Sequence, residues 1–137
     1  MKVTLKLDNK MRIIGTDSSN HPTYFDTVPE FGGENSAPTP MAIMLQAMGA
    51  CSFMDIVSIL NKKRKQIDSL EIEISGIRAD KHPKVFTNVH LKYILKSPDT
   101  EMKDLERAIE LSQTTYCGAS AMFQRAGCEV TTEAIIS

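Results

Sequence analysis

The chain has no excess of charge of either sign, no CxxC pair, no leader-like apolar start and no internal repeat, and each absence removes a class of function. Lys and Arg number 16 against 17 Asp and Glu, for a formal net charge of -1, so no bulk electrostatic field recruits nucleic acid. Cysteines occur only at 51, 117 and 128. They lack the close spacing of zinc ligands and of a secreted disulfide framework, and their odd number leaves at least one thiol free unless chains pair with each other. Neither a metal nor a cofactor is called for. The opening stretch MKVTLKLDNK alternates apolar and charged residues instead of joining a charged start to an apolar run, which does not read as a signal peptide and predicts a cytoplasmic protein. With no low-complexity tract or linker, the 137 residues, 42% apolar and 24% charged, are expected to form a single domain over 1–137 with a core of its own.

What is present is a mixed pattern. Val3, Leu5 and Leu7 alternate with Thr4 and Lys6, a turn at Asp8-Asn9-Lys10 leads into Met11–Ile14, and a short run follows at Thr23–Phe25, predicting three short strands. A Gly- and Pro-containing loop, 29–40, then leads to a helix opened by Pro40 and expected to reach about Gln66. Leu70, Ile72 and Ile74 alternate with Glu71, Glu73 and Ser75 in a strand running to Arg78. After a His82-Pro83 turn, Val89, Leu91, Tyr93 and Leu95 form the buried face of its partner. Ser97-Pro98-Asp99 marks a second helix start, with Leu105, Ala108, Ile109 and Ser112 at helical spacing. A third helical piece, about Cys117 to Arg125, stops at Gly127, and Cys128–Ile136 closes the chain as a strand whose Cys128, Val130, Thr132 and Ala134 share a face. The class is α+β, helices on an antiparallel sheet.

The segment from Met41 to Leu60 is apolar on nearly all sides. As a membrane span it would carry Asp55 well inside, at about 2.5–3.5 kcal/mol on insertion scales, so no membrane association is predicted. A helix apolar all round must instead be enclosed, which a domain of this size can hardly do alone; an obligate homodimer is expected.

Two thiols invite chemistry. Cys51 lies on the long helix with Asp55 one turn away, a carboxylate that opposes formation of a thiolate, so activation needs a cation from elsewhere. The competing reading is a cysteine that only fills space. Cys117 falls where a helix begins, where unpaired N–H groups lower a thiol pKa; a small residue packed at a turn fits equally well. Cys128 reads as inert core. His21, His82 and His90 read as solvated, and Lys62-Lys63-Arg64-Lys65 as a wet helix end that complements the dipole. Met41, Met44, Met48 and Met54 are core residues first, though methionine also adapts to apolar ligands.

Pro40-Met41 followed by Leu45, Gly49-Ala50-Cys51, Asp55–Leu60 with Lys62-Lys63-Arg64, and Leu111-Ser112 with Tyr116-Cys117 together resemble the OsmC/Ohr family, the osmotically inducible and organic hydroperoxide resistance group. They are most like its small YhfA-like branch, and the Gly32–Asn35 loop and the strand order fit as well. The resemblance implies an intertwined dimer with long central helices buried between two sheets. It also implies reduction of organic hydroperoxides in oxidative or osmotic stress, in which Cys51 becomes a sulfenic acid and Cys117 resolves it to a disulfide. A dithiol reductant then restores the pair. The substrate's alkyl chain would occupy an apolar pocket. In the peroxidase branches a glutamate stands where this chain has Met41, holding the arginine that activates the thiolate; the one candidate for that arginine is Arg12. A non-enzymatic member that binds a small apolar ligand, or senses redox state through the Cys51/Cys117 pair, is the alternative the same residues allow.

Overall fold

The computed structural model describes all residues, 1–137. The elements follow the predicted order: β1 (Thr4–Asn9), β2 (Arg12–Thr16), β3 (Pro22–Phe25), α1 (Pro40–Lys62), β4 (Ser69–Arg78), β5 (Phe86–Lys96), α2 (Met102–Leu111), α3 (Gly118–Arg125) and β6 (Glu129–Ile136). The chain divides into two compact units, Met1–Met44 and Leu45–Ser137.

The first unit is a three-stranded antiparallel sheet in the order β1-β2-β3, with Leu5 opposite Gly15 and Ile14 opposite Tyr24. The loop that follows is organised by one carboxylate. Asp26, 3% exposed, accepts hydrogen bonds from the N–H groups of Thr27, Glu34 and Ser36 and from the Ser36 hydroxyl. These hydrogen bonds, led by that from the Ser36 hydroxyl, hold the carboxyl down at about 2. Gly33 is required by the same fold: a Cβ there would run into the Thr27 carbonyl.

The second unit pairs β4 with β5 antiparallel and β5 with β6 parallel, order β4-β5-β6. The sheet is therefore mixed rather than wholly antiparallel. A helical crossover through α2 and α3 returns the chain to the end of β5 at which that strand began, and a strand entered from there runs parallel to it. Val89, Leu91, Tyr93 and Leu95 are all buried, as their alternation predicts. Met48, Ile56 and Leu60 of α1, Leu105, Ala108 and Ile109 of α2, and Phe123 complete the core with them. Cys128 joins this core at 6% exposed, as expected, whereas Thr132 faces solvent. Gly49 sits where α1 crosses β4, and a Cβ there would meet the end of the Ile74 side chain.

Two helix boundaries differ from expectation. Helix α1 ends at Lys62 because Arg64 takes a left-handed conformation, φ 58, and the Lys65 N–H reaches back to the Leu60 carbonyl at 3.0 Å. Helix α2 begins at Met102, beyond the Ser97-Pro98-Asp99 turn. Ser97 Oγ takes up the Thr100 N–H and Asp99 Oδ1 the Gln66 N–H, while Asp104 accepts from the Glu101 N–H at 3.4 Å. The cationic end of α1 has structural partners: Lys63 and Lys65 lie 3.0 and 3.5 Å from the Asp104 carboxylate.

Within the single chain α1 is not enclosed. Met48, Gly49, Ser52, Ile56 and Leu60 are buried, while Met54 is 72% exposed and Met44 is exposed as well. By length and composition the helix could cross a membrane, but it carries Asp55 and packs one face on the sheet as a core helix does.

Candidate thiol site

Cys51 follows Met48 by one turn of α1 and is half-buried; Cys117 is buried at the N-cap of α3. The fold brings these two residues, remote in sequence, to one site, where the Cys51 thiol acts on that of Cys117. The Cys117 Sγ also accepts the Ser120 N–H at 3.3 Å and faces the Met48 carbonyl at 3.9 Å. All three cysteines are free thiols.

A lowered pKa for Cys117 was one of the readings its helix-start position allowed, and it does not hold. Burial is the largest influence and raises the thiol; the Ser120 N–H pulls the other way, and the Cys51 thiol adds to the rise. In a site this closed, desolvation of the thiolate outweighs one capping N–H. Cys117 therefore keeps its proton at neutral pH.

Asp55 carries a hydrogen-bonding role that helical spacing does not reveal. Its carboxylate accepts the Ser112 hydroxyl at 2.9 Å, Ser112 lies 2.8 Å from Ser52 Oγ, and Ser52 lies 2.7 Å from the Tyr93 hydroxyl. Gln113 continues the chain. Its Nε2 donates to Tyr93 Oη at 3.0 Å, and its Oε1 accepts the Ser120 hydroxyl at 2.6 Å, beside Cys117. Ser52, Ser112, Ser120 and Tyr93 are all 0% exposed, yet no buried polar side-chain atom lacks a partner. Burial raises the Tyr93 phenol above its ordinary range, so it remains a neutral donor.

This network went unread in the sequence, although a signal for it was present. Tyr93 falls on the apolar face of β5 and Ser112 on the apolar face of α2, and a hydroxyl at a core position requires a partner. What the pattern could not supply is which partner. The segment Ser112–Tyr116 is a π-turn, closed by the Cys117 N–H on the Ser112 carbonyl at 2.8 Å. Its wider turn lets both Ser112 and Gln113 reach the interior, where α-helical spacing would separate them by about 100°.

A cleft of about 330 Å³, lined by Asp55, Ser58, Ile59, Lys62, Leu111 and Tyr116, opens beside this network. A second, of about 750 Å³, runs along the exposed side of α1 past Phe53, Met54 and Val57. Of the helix methionines, Met48 is core and Met54 borders this groove.

In the first unit the Arg12 guanidinium pairs with Asp8 at 3.1 Å, donates to the Ser36 hydroxyl at 2.8 Å and stacks over Tyr24 at 4.8 Å. His21 pairs with Asp17, His90 contacts Thr131, and His82 is exposed.

Comparison with known proteins converges on one group. The family model described as OsmC-like protein matches residues 33–133. Protein YhfA of Escherichia coli strain K12 is 30% identical over 126 residues, covering 92% of this chain and 91% of that one. Among solved structures, a hypothetical protein from Aquifex aeolicus superposes with a TM-score of 0.82 at 28% identity, covering 99% of this chain and 96% of the other. An organic hydroperoxide resistance protein from Legionella pneumophila superposes at 0.69 and 13% identity, covering 98% and 97%, which is a likeness of fold.

Proposed function

Because the chain belongs to the OsmC-like family, we propose that it is a cytoplasmic, homodimeric thiol peroxidase acting on organic hydroperoxides, built as one OsmC-like domain, with Cys51 as nucleophile and Cys117 as resolving thiol. The observation that carries this reading is the adjacency of two free thiols of unequal exposure, the half-buried one reachable by a small oxidant and the buried one raised in pKa. The resistance function that the Legionella protein's name states belongs to that protein; it supports the substrate class proposed here.

The chemistry balances as follows. The Cys51 thiolate attacks the terminal peroxide oxygen, the O–O bond breaks, and the alkoxide takes a proton to leave as alcohol, with Cys51 left as sulfenic acid. The Cys117 sulfur then attacks the Cys51 sulfur; the S–S bond forms, the S–O bond breaks and water departs with the Cys117 proton. A dithiol reductant returns two electrons by thiol exchange. The substrate's alkyl group suits the cleft of Ile59, Leu111 and Tyr116. Arg12, whose guanidinium is held in the first unit by Asp8, Ser36 and Tyr24, is the proposed source of the positive field on Cys51. The apolar groove past Phe53, Met54 and Val57 is the surface on which a second copy is proposed to pack.

Rapid mixing of reduced protein with cumene hydroperoxide tests the proposal. A fast phase that disappears in Cys51→Ser, with a Cys51–Cys117 disulfide found by mass spectrometry in the unaltered protein, is the expected result, and Arg12→Gln should slow that phase at least about tenfold. Absence of the fast phase in the unaltered protein removes the peroxidase reading; a disulfide formed without it points to redox sensing through the same pair.

A further inference from the structure

We infer that Gln113 is the positioning residue that holds the two cysteine-bearing elements in register for disulfide closure. The inference rests on the thiol reading above and adds to it the part of the fold that makes resolution fast.

The argument begins with what one carboxamide can do. An amide side chain has an NH2 donor at one corner and a carbonyl acceptor at the other. In Gln113 the two corners serve opposite sides of the site. The Nε2 donates to Tyr93 Oη at 3.0 Å and approaches Ser52 Oγ at 3.4 Å, and Ser52 is the residue after Cys51 on α1. The Oε1 accepts the Ser120 hydroxyl at 2.6 Å, and the N–H of the same Ser120 donates to Cys117 Sγ. The path Cys51–Ser52–Tyr93–Gln113–Ser120–Cys117 thus joins the thiols through one amide by a route separate from their own contact. The π-turn brings Gln113 inward; its main chain is tied in turn, the carbonyl accepting Gln124 Nε2 at 3.3 Å.

Bond formation between two sulfurs requires both to be held near attack geometry, and the gain from such preorganisation is read as effective concentration. Carbon-only replacement removes both corners of the bridge, and a carboxylate removes the donor alone. Loss of the Ser120 hydroxyl opens the bridge on the α3 side and leaves the Ser120 N–H on Cys117 in place.

The test is the equilibrium of the Cys51–Cys117 disulfide in full-length protein, measured in glutathione redox buffers by alkylation and mass spectrometry, which needs no hydroperoxide. Gln113→Leu and Ser120→Ala should each lower the effective concentration of the thiol pair about tenfold or more, a shift of about 30 mV, and Ser120→Thr should restore it. Ile109→Ala, which loosens the core four residues before Gln113 and leaves every hydrogen bond of the amide in place, controls for stability and should lower the melting temperature without that shift. Equal effective concentrations in the unaltered protein, Gln113→Leu and Ser120→Ala overturn the positioning role while leaving the thiol reading intact. A shift in Ile109→Ala as large as in Gln113→Leu also overturns it, since general loosening would then suffice. Absence of any Cys51–Cys117 disulfide in the unaltered protein overturns the reading and the inference together.

Discussion

Asp26 shows how far one side chain can organise a loop. Three N–H groups and a hydroxyl converge on a carboxylate that is 3% exposed and holds its charge to about pH 2. An unfolded aspartate ionises near 3.9, so the folded value is the lower one. Its stabilising contribution is then complete above about pH 4 and is lost as pH falls through about 2. Asp26→Asn should melt a few degrees lower than the unaltered protein at pH 7, with the gap narrowing between pH 4 and pH 2; melting curves across that range check it, and a gap that widens in acid would contradict the assignment. At the same scale, helical spacing makes Asp55 a charge adverse to its neighbour Cys51, and the structure gives its carboxylate a partner in Ser112. Helical spacing could place Asp55 near Cys51 but had no means of showing a hydroxyl that arrives from another helix.

The elements were largely legible, and the misplaced ends are instructive. Periodicity gave β4 and β5 their buried faces because a half-buried strand writes its environment into every second residue. Helix ends depend on where side chains find partners, and Ser97 and Asp99 spend theirs on Thr100 and Gln66 instead of capping α2. The π-turn left no mark in the pattern, since it differs from α-helix by one residue's registration. Helix α1 approaches β4 through Gly49, which no periodicity flags as close contact. Gly49→Val would place a branched side chain against Ile74, and should cost about 1–3 kcal/mol. Urea denaturation would show this as a lower midpoint with an unchanged slope.

For the whole molecule, the decisive feature is an apolar helix covered on one side only, with Met54 72% exposed in a groove with Phe53 and Val57. Such a face in water favours association with a matching surface, and a second copy is the occupant proposed above. Met54→Lys should therefore shift sedimentation from dimer towards monomer at micromolar concentration, and an unaltered protein that sediments as monomer would refute that assembly.

The sequence by itself determined the order and type of the elements, the inward faces of β4 and β5 and the core place of Cys128, because alternation, turn residues and apolar runs are local records of local environment. Only the tertiary structure decided that Cys51 and Cys117 are neighbours, that burial raises the Cys117 thiol, that β6 runs parallel to β5, and that Tyr93, Ser52, Ser112, Gln113 and Ser120 form one network. Hydrogen-bond partners and desolvation are set by which distant segments meet, and a chain pattern carries no record of that meeting until the segments are packed.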